Sequence, residues 1–366
     1  MYGPRPDRIF KAPSAQTGNH DAGLKQKEEK GMKKTIAALL TLSMLAAALT
    51  GCSKKAEEAG AKGPWKPEEN IEFICQSSAG GGSDLMARSI AQYMKSEGII
   101  DQPIVVDNIT GSGGVKAFTY TLEKKGGAYN WQTVNSNFFT APIAGNIEQD
   151  YHDYTLLAVI GVDPNVLCVP YDSPFETFED IVEAAKAEPG KYSISIGGAG
   201  SSGACVTIMM QQEVGIELNQ IPFEGGADGL TAVMGGQVDM GWQGIAELVG
   251  PWQNKLLRPI AIAEESRVDA LPDIPTLKEL GYDVVFSVPR AIVGPPDMPQ
   301  EAYEFYCDAF DKLNASEKWQ KEYIEANYII PRTAVGKDCE IIFKDFHNDT
   351  YALYDAMGLA VGEAVQ

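Results

Sequence analysis

Hydrophobic and polar positions follow two alternating periods along the chain from residue 71 onward. The apolar run IEFIC at 71–75 has the length of a buried strand. The segment DLMARSIAQYMKSEG at 84–98 follows it and predicts a helix, because Met86, Ile90, Tyr93 and Met94 share one helical face. The pattern repeats, with strands predicted at 103–108, 131–137 and 154–170 and a glycine loop opening a helix at 109–125. This order is typical of an α/β fold with a parallel sheet.

A second run of the same pattern begins near Ser173. The segment 173–190 predicts a helix, since it has a proline at an early position, acidic residues in its first turns and a terminal Pro-Gly. The next predicted elements are extended segments at 191–198, 219–226, 237–243 and 257–263 and helices at 199–215 and 227–236. Residues 283–296 return to an extended apolar pattern, and the C-terminal part is helical.

Two long extended segments, 156–170 and 284–293, predict crossovers between two lobes. If the chain leaves the first lobe at one segment and returns at the other, two α/β lobes face each other across a hinge. The predicted boundaries are 68–168 with 289–366 for lobe 1, and 169–288 for lobe 2. The cleft between the lobes is the predicted binding site.

The first 67 residues carry targeting and linker signals. Lys33 and Lys34 precede an apolar run of about 14 residues, shorter than the roughly 20 that span a bilayer, so 32–51 is predicted to be a signal peptide. Leu49-Thr50-Gly51-Cys52 resembles a bacterial lipobox, which predicts lipid modification of Cys52; an ordinary cysteine after a plain signal peptide is the alternative. Residues 1–31 are interpreted as a dispensable extension, and 52–67 as a flexible tether.

The charge balance argues against nucleic acid as a partner. The whole chain has a formal net charge of −20, and setting aside residues 1–51, with eight basic and four acidic residues, leaves 22 basic and 46 acidic residues. The charge does not argue against an anionic ligand, because screening reaches only about 8 Å at physiological salt. Backbone amides in a pocket can therefore outweigh distant surface carboxylates.

The cysteines suggest neither a metal site nor a redox motif. Besides Cys52 there are Cys75, Cys168, Cys205, Cys307 and Cys339, widely spaced and without a Cys-x-x-Cys pair. An oxidising compartment permits a disulfide, but the odd number leaves at least one thiol unpaired or paired between chains. Most of the five are expected to be small buried hydrophobic residues.

The common enzyme motifs are incomplete in this sequence. Gly80-x-Gly82 follows a predicted strand, but the third glycine of a dinucleotide fingerprint would fall on Leu85. No phosphate-binding Gly-x-x-x-x-Gly-Lys loop occurs, and neither Ser201 nor Ser202 has both of the flanking glycines that a nucleophile elbow requires. His20, His152 and His347 are the only histidines, too few for a histidine-rich metal site. No catalytic residue, cofactor or metal is therefore predicted.

Glycine-rich loops are the remaining candidates for a binding site. They are AGGGSD at 79–84, GSGG at 111–114, GGAGSSG at 197–203 and EGGADG at 224–229, and most lead from a strand into a helix. Free N–H groups at such helix starts carry partial positive charge and bind anions. Asp84 is expected to cap its helix, contact a ligand group, or do both. Arg88, one turn later, is expected to be a structural ion-pair partner.

Five ordered blocks of this sequence closely resemble one family, the extracytoplasmic substrate-binding receptors of tripartite tricarboxylate transporters. The resemblance covers roughly residues 71–313. The blocks are SSAGGGSDLMAR, VVDNITGSGG, VLCVPYDSPFETFEDIVEAAKAEPGKYSISIGGAGSSG, IPFEGGADGLTAVMGGQVDM and LRPIAIAEESRVDALPDIPTLKELGYDV. It implies a type II periplasmic binding-protein fold with two α/β lobes and two crossover segments.

The resemblance also implies where the ligand lies. In this family a small carboxylate is held by one loop from each lobe, largely through backbone amides and bridging waters. The ligand-binding residues implied here are Ala79, Gly80, Gly81, Gly82, Ser83, Asp84, Asn135, Ser136, Asn137, Ala199, Gly200, Ser201, Ser202, Gly225 and Gly226.

Two departures from the family pattern bear on the ligand. The second loop often ends in histidine, where this chain has Ala204, and a Tyr-Lys-Gly turn is replaced by Phe223-Glu224-Gly225. Without these two cations a tricarboxylate such as citrate is less favoured than a mono- or dicarboxylate or a less charged ligand.

The sequence therefore predicts a receptor anchored outside the cytoplasm by lipid on Cys52. Its expected partners are a small organic acid, the membrane itself and the permease subunits of a transporter. A receptor for a signalling system is the alternative, followed by an enzyme on the same scaffold, which would need a convergent acid–base pair in the cleft.

Overall fold

The structure, a computed structural model, describes residues 64–268, 271–361 and 364. The predicted signal peptide, Cys52 and the tether up to residue 63 lie outside these residues. Within the described part of the chain, no helix combines the length and apolar character needed to cross a bilayer.

Ten strands and ten α-helices are formed by the described residues. The strands are β1 (Ile71–Cys75), β2 (Ile104–Asn108), β3 (Asn130–Val134), β4 (Thr155–Pro170), β5 (Ser193–Ile196), β6 (Asn219–Pro222), β7 (Met240–Gly244), β8 (Leu257–Ile262), β9 (Ser287–Gly294) and β10 (Ala334–Val335). The helices are α1 (Gly82–Ser96), α2 (Val115–Glu123), α3 (Ser136–Ile143), α4 (Phe178–Ala187), α5 (Ser202–Val214), α6 (Gly226–Met234), α7 (Ile245–Gln253), α8 (Gln300–Ala315), α9 (Glu317–Trp319) and α10 (Cys339–Ala356). A π-helix over Gln320–Glu325 continues α9.

The strands follow one hydrogen-bonded order, β2-β1-β3-β9-β4-β7-β5-β6, with β8 and β10 also paired to β4. Within each lobe the helix-linked strands are parallel, as predicted: β1 pairs with β2 and β3, and β5 pairs with β6 and β7. The complete sheet is mixed, because β4 and β9 run antiparallel to their neighbours. The chain crosses between the lobes in one direction along β4 and in the other along β9, so these two strands must be antiparallel.

Strand β4 belongs to both lobes. Residues 155–164 pair with β9 in lobe 1, and residues 165–170 pair with β7 and β8 in lobe 2. The change of partner comes between Pro164 and Asn165, before the boundary predicted at 168. Strands β4 and β9 occupy the two predicted crossover segments, and the fold has the two α/β lobes and the cleft that the sequence predicted.

Helix α1 shows how the apolar pattern produces packing. Met86, Ile90 and Met94 are fully buried and Tyr93 is 8% exposed, so the predicted apolar face is confirmed. Asp84 lies in the first turn and Lys95 in the last, which complements the helix dipole.

Several element boundaries differ from the predictions. The segment 131–137 is not extended throughout, because β3 ends at Val134 and α3 begins at Ser136. Helix α7 was not predicted. Helix α4 begins at Phe178, since Thr177 and Asp180 form a capping box, and the early proline at position 174 lies before the helix.

The N-terminal edge of the folded part also differs from the prediction. Trp65, assigned to the tether, packs edge-on against Phe305 and Tyr306, with ring centroids 5.5 Å apart in both pairs. The folded part therefore begins before residue 67.

No disulfide joins the five described cysteines. Cys75, Cys168, Cys205 and Cys339 are buried and Cys307 is partly buried. Burial raises the pKa of each of these thiols. Their role as small buried hydrophobic residues agrees with the prediction for most of them.

Candidate functional site

A cleft of about 700 Å³ lies between the lobes, where β4 and β9 pass from one to the other. Asp163 and Asn165 on β4 and Val288 and Arg290 on β9 contribute to its lining. The cavity has the size of a small-molecule site. Nine of the residues predicted to bind ligand line it: Gly82, Ser83, Asn135, Ser136, Asn137, Ser201, Ser202, Gly225 and Gly226.

Four helices have their first residue in the lining of this cleft. Their first residues are Gly82 of α1 and Ser136 of α3 from lobe 1, and Ser202 of α5 and Gly226 of α6 from lobe 2. The first N–H groups of a helix have no partner within the helix and carry partial positive charge. The strand–glycine–helix pattern of the sequence thus brings amide donors of both lobes to one cavity.

Six of the predicted ligand-binding residues lie outside the lining. Ala79 and Gly80 are exposed, and the φ of +85° at Gly80 makes the turn that precedes α1. Gly81 is the buried N-cap of α1, and Asp84 is buried. Ala199 and Gly200 belong to the turn before α5.

The carboxylate of Asp84 stabilises the glycine loop that precedes α1. One of its carboxylate oxygens accepts a hydrogen bond from the N–H of Gly80 at 2.9 Å, and the other accepts one from Asn108 Nδ2 at 2.9 Å. Arg88 is its ion-pair partner at 2.8 Å, as predicted. Burial alone would raise the pKa of Asp84, but these hydrogen bonds outweigh burial and hold the pKa below its ordinary value. Its partners therefore favour the bracing role over ligand contact.

The two lobes touch across the cleft at their glycine loops. The Thr140 hydroxyl of α3 donates a hydrogen bond to the carbonyl oxygen of Gly200 at 2.9 Å. An ideal Cβ at Gly200 would lie 3.2 Å from the Thr140 Cβ, and an ideal Cβ at Gly225 would lie 2.5 Å from the Ser78 hydroxyl oxygen. Glycine at these positions allows the backbones to approach closely.

Three charged residues of the cleft were missed by the sequence analysis: Asp163, Glu247 and Arg290. Arg290 forms an ion pair with Asp163, and both side chains are almost fully buried. Charged residues inside long apolar segments were the available signal for Asp163 in β4 and Arg290 in β9. The signal for Glu247 was weaker, because a single glycine precedes α7.

Glu247 joins the starts of two helices. Its Oε1 accepts a hydrogen bond from the N–H of Gly82, and its Oε2 accepts one from the N–H of Gly244 at 3.1 Å. Burial raises the pKa of Glu247, and the raised value persists although Arg290 and the two N–H donors lower it. The N–H of Gly82, a residue predicted to bind the ligand, thus already donates to the carboxylate of Glu247.

Arg290 is the cation in the cluster formed by Asp163, Glu247 and Arg290. Burial alone would lower its pKa, but Asp163 and Glu247 outweigh burial and raise it, so the guanidinium stays charged. Asp163 also accepts a hydrogen bond from the N–H of Ile245 at 3.1 Å. An ideal Cβ at Gly82 would lie 2.8 Å from the guanidinium carbon, so glycine is required there.

The two departures from the family pattern lie in different surroundings. Ala204 is buried within α5 and does not line the cleft. Glu224 is exposed and lines it. Arg290 supplies a cation that was not predicted for the site.

The family of this chain can be assigned from its sequence. A family model described as "Tripartite tricarboxylate transporter family receptor" matches residues 86–329. The chain belongs to this receptor family. The receptor is therefore a solute-binding protein and not an enzyme, and the predicted resemblance is confirmed.

The receptor is similar to curated and solved proteins along most of its length. The UPF0065 protein in gbd 5' region of Cupriavidus necator is 27% identical over 331 residues, covering 86% of this chain and 96% of that relative. A structure from R. palustris with adipate has a TM-score of 0.75 at 20% identity, covering 80% and 99% of the two chains. MatC from Rhodopseudomonas palustris, solved with bound malate, has a TM-score of 0.69 at 18% identity, covering 79% and 99%. At these identities the solved structures establish the fold.

Proposed function

We propose that this receptor captures a small organic carboxylate outside the cytoplasm and delivers it to the permease subunits of a tripartite transporter. The observation that carries the proposal is the convergence of four helix starts, two from each lobe, on one cleft that also contains Arg290. Such helix starts bind carboxylates through backbone N–H groups. The adipate and malate held by two solved relatives support a carboxylate for this chain as well.

Closure of the lobes couples binding to delivery. A ligand shifts the lobes towards the closed state only if it binds that state more tightly than the open one. In this receptor the Thr140–Gly200 contact joins the lobes beside the cleft, and ligand contacts to α1 and α3 on one side and to α5 and α6 on the other add to it. A permease that recognises the closed arrangement would distinguish loaded receptors from empty ones.

A panel of carboxylic acids tests the proposed function. We expect adipate, malate or another small acid to raise the melting temperature, because a ligand at 100 times its dissociation constant adds about 2.7 kcal/mol to the free energy of unfolding. Differential scanning fluorimetry measures the shift, and the uncharged diamide of each acid is the control. If no acid shifts the melting temperature at millimolar concentration, carboxylate capture is wrong.

We further propose that lipid on Cys52 anchors the receptor to the cell membrane, since residues 49–52 match a lipobox behind a signal peptide. We expect Cys52→Ser to move the protein from the membrane fraction to the soluble fraction of ruptured cells. Cys307→Ser, at the partly buried thiol, is the matched control and should leave the protein in the membrane fraction. A Cys52→Ser protein that still sediments with membranes would refute the anchor.

A further inference from the structure

Helix α7 belongs to lobe 2, but its first turn is buried partly in lobe 1. The helix packs on β7 and β8 of lobe 2 and on β4. Ile245 and Leu248 are buried in an apolar cluster of lobe 2 that also contains Val166. Ala246 is buried instead in the apolar cluster of lobe 1 that contains Met86. Residues of one helical turn thus pack into the cores of different lobes.

Glu247, in the same turn, adds a polar contact between the lobes. Its Oε1 accepts a hydrogen bond from the N–H of Gly82, the first residue of α1 in lobe 1. Its Oε2 accepts one at 3.1 Å from the N–H of Gly244, the N-cap of α7 in lobe 2. A carboxylate is favoured at both positions, because the start of a helix carries partial positive charge. One side chain therefore joins the starts of two helices that belong to different lobes.

Glycines leave the room that this carboxylate occupies. An ideal Cβ at Gly226, the first residue of α6, would lie 2.9 Å from Glu247 Oε1. An ideal Cβ at Gly244 would lie 3.0 Å from Glu247 Oε2. Both distances are too short for a side chain, so the carboxylate keeps its place between the lobes only while these two positions are glycine.

The far end of α7 contacts lobe 1 as well. The ring of Trp252, in the last turn, lies against the ring of Tyr328, with centroids 6.3 Å apart and planes at 59°. Tyr328 follows the π-helix and precedes β10, which pairs with the part of β4 in lobe 1. Both ends of α7 are therefore in contact with the opposite lobe.

We propose that α7 is a latch that holds the two lobes together whether or not a ligand is bound, with Glu247 as its central contact. The contacts of the latch join protein atoms only, so they can form in an empty receptor. They are separate from the Thr140–Gly200 contact, which lies at the starts of α3 and α5. This inference goes beyond the proposed function, because it holds for any ligand of the cleft.

The latch has a consequence for binding. Opening the cleft breaks the hydrogen bond from Gly82 to Glu247 and uncovers Ala246, so the open state is disfavoured. A ligand can enter only an open cleft, and the latch therefore slows its entry. The same contacts favour the closed state after a ligand has entered, which slows its release.

Hydrogen exchange tests the latch on the full receptor without any ligand. We expect the Gly82 amide to be protected and Glu247→Ala to speed its exchange at least tenfold, because the acceptor in lobe 2 is then missing. The Gly80 amide is the internal control. It donates to Asp84 within lobe 1 and should exchange at the same rate in both proteins. Hydrogen–deuterium exchange followed by NMR measures both amides.

Small-angle X-ray scattering measures the separation of the lobes in the same samples. Glu247→Ala should increase the radius of gyration, and so should Glu247→Asp, which keeps the charge but is one methylene too short to reach both N–H groups. Glu217→Gln removes a charge at an exposed position of lobe 2 and should leave both measurements unchanged.

Two results would overturn the latch. The first is a Gly82 amide that already exchanges at the rate of an exposed amide in the unchanged receptor, a result that needs no variant. The second is a folded Glu247→Ala receptor with the radius of gyration and the Gly82 exchange rate of the unchanged receptor. Neither result depends on the binding of an acid, so failure of the latch and failure of carboxylate capture are distinguishable.

Discussion

Replacing Arg290 by methionine is expected to lower the free energy of unfolding by about 3–5 kcal/mol, the typical loss when one partner of a buried ion pair is removed. Asp163 would remain 3% exposed beside Glu247 with no cation between them. The N–H groups of Gly82, Gly244 and Ile245 would still donate to the two carboxylates, but they carry only partial charge. Urea unfolding followed by circular dichroism measures the change.

Arg267 provides the matched control for this experiment. Its ion pair with Glu279, at 2.7 Å, is exposed on both sides, so Arg267→Met should cost about 0–1 kcal/mol. Adding Asp163→Asn and Glu247→Gln to the Arg290 variant should recover part of the lost stability, because no charge is then left without a partner. Equal losses for the Arg290 and Arg267 variants would contradict the buried cluster.

The second large effect is expected in ligand binding. Gly200→Val should weaken the affinity for the best acid of the melting panel by about 10- to 100-fold, or about 1.4–2.8 kcal/mol. The added Cβ would lie 3.2 Å from the Thr140 Cβ in the other lobe, so the closed arrangement would become strained. Part of the binding free energy would then be needed to overcome this strain on closure, so the affinity would be lower. Isothermal titration calorimetry measures the affinity.

Ala199→Val is the control for Gly200→Val. It introduces the same side chain one residue earlier in the same loop, at an exposed position outside the cleft lining. Its affinity should match that of the unchanged receptor, and both variants should keep the unfolding free energy within about 1 kcal/mol. If the two variants bind equally well, the contact between the lobes does not contribute to capture.

The local pattern of hydrophobic and polar residues was sufficient to predict most of the secondary structure. β1 and the face of α1 that carries Met86 and Ile90 follow from periods that burial itself imposes. The first two residues of α3 were assigned to the preceding strand and the rest of the helix was not predicted, because its residues are almost all buried, which leaves no exposed polar face to reveal a helical period. Helix α7 was missed because one glycine precedes it and Gly250 and Pro251 interrupt its pattern.

The sequence predicted the location of the candidate site but not its buried charged residues. Residues that begin helices, such as Gly82 and Ser202, could be found because a glycine loop before a helix is a local signal. The cluster of Asp163, Glu247 and Arg290 could not, since its members lie far apart in the chain. In the sequence, each of them is a charged residue whose partner cannot be identified.

The sequence by itself determined the α/β class, the two crossover segments and the glycine loops that open the helices, because these depend on residues close together in the chain. The tertiary structure decided which helix starts are free and which are occupied by Glu247 and Asp163. It also brought Asp163, Glu247 and Arg290 together in the lining of the cleft. The physical reason is that electrostatic interactions depend on distance in space, and the return of β9 alongside β4 sets those distances.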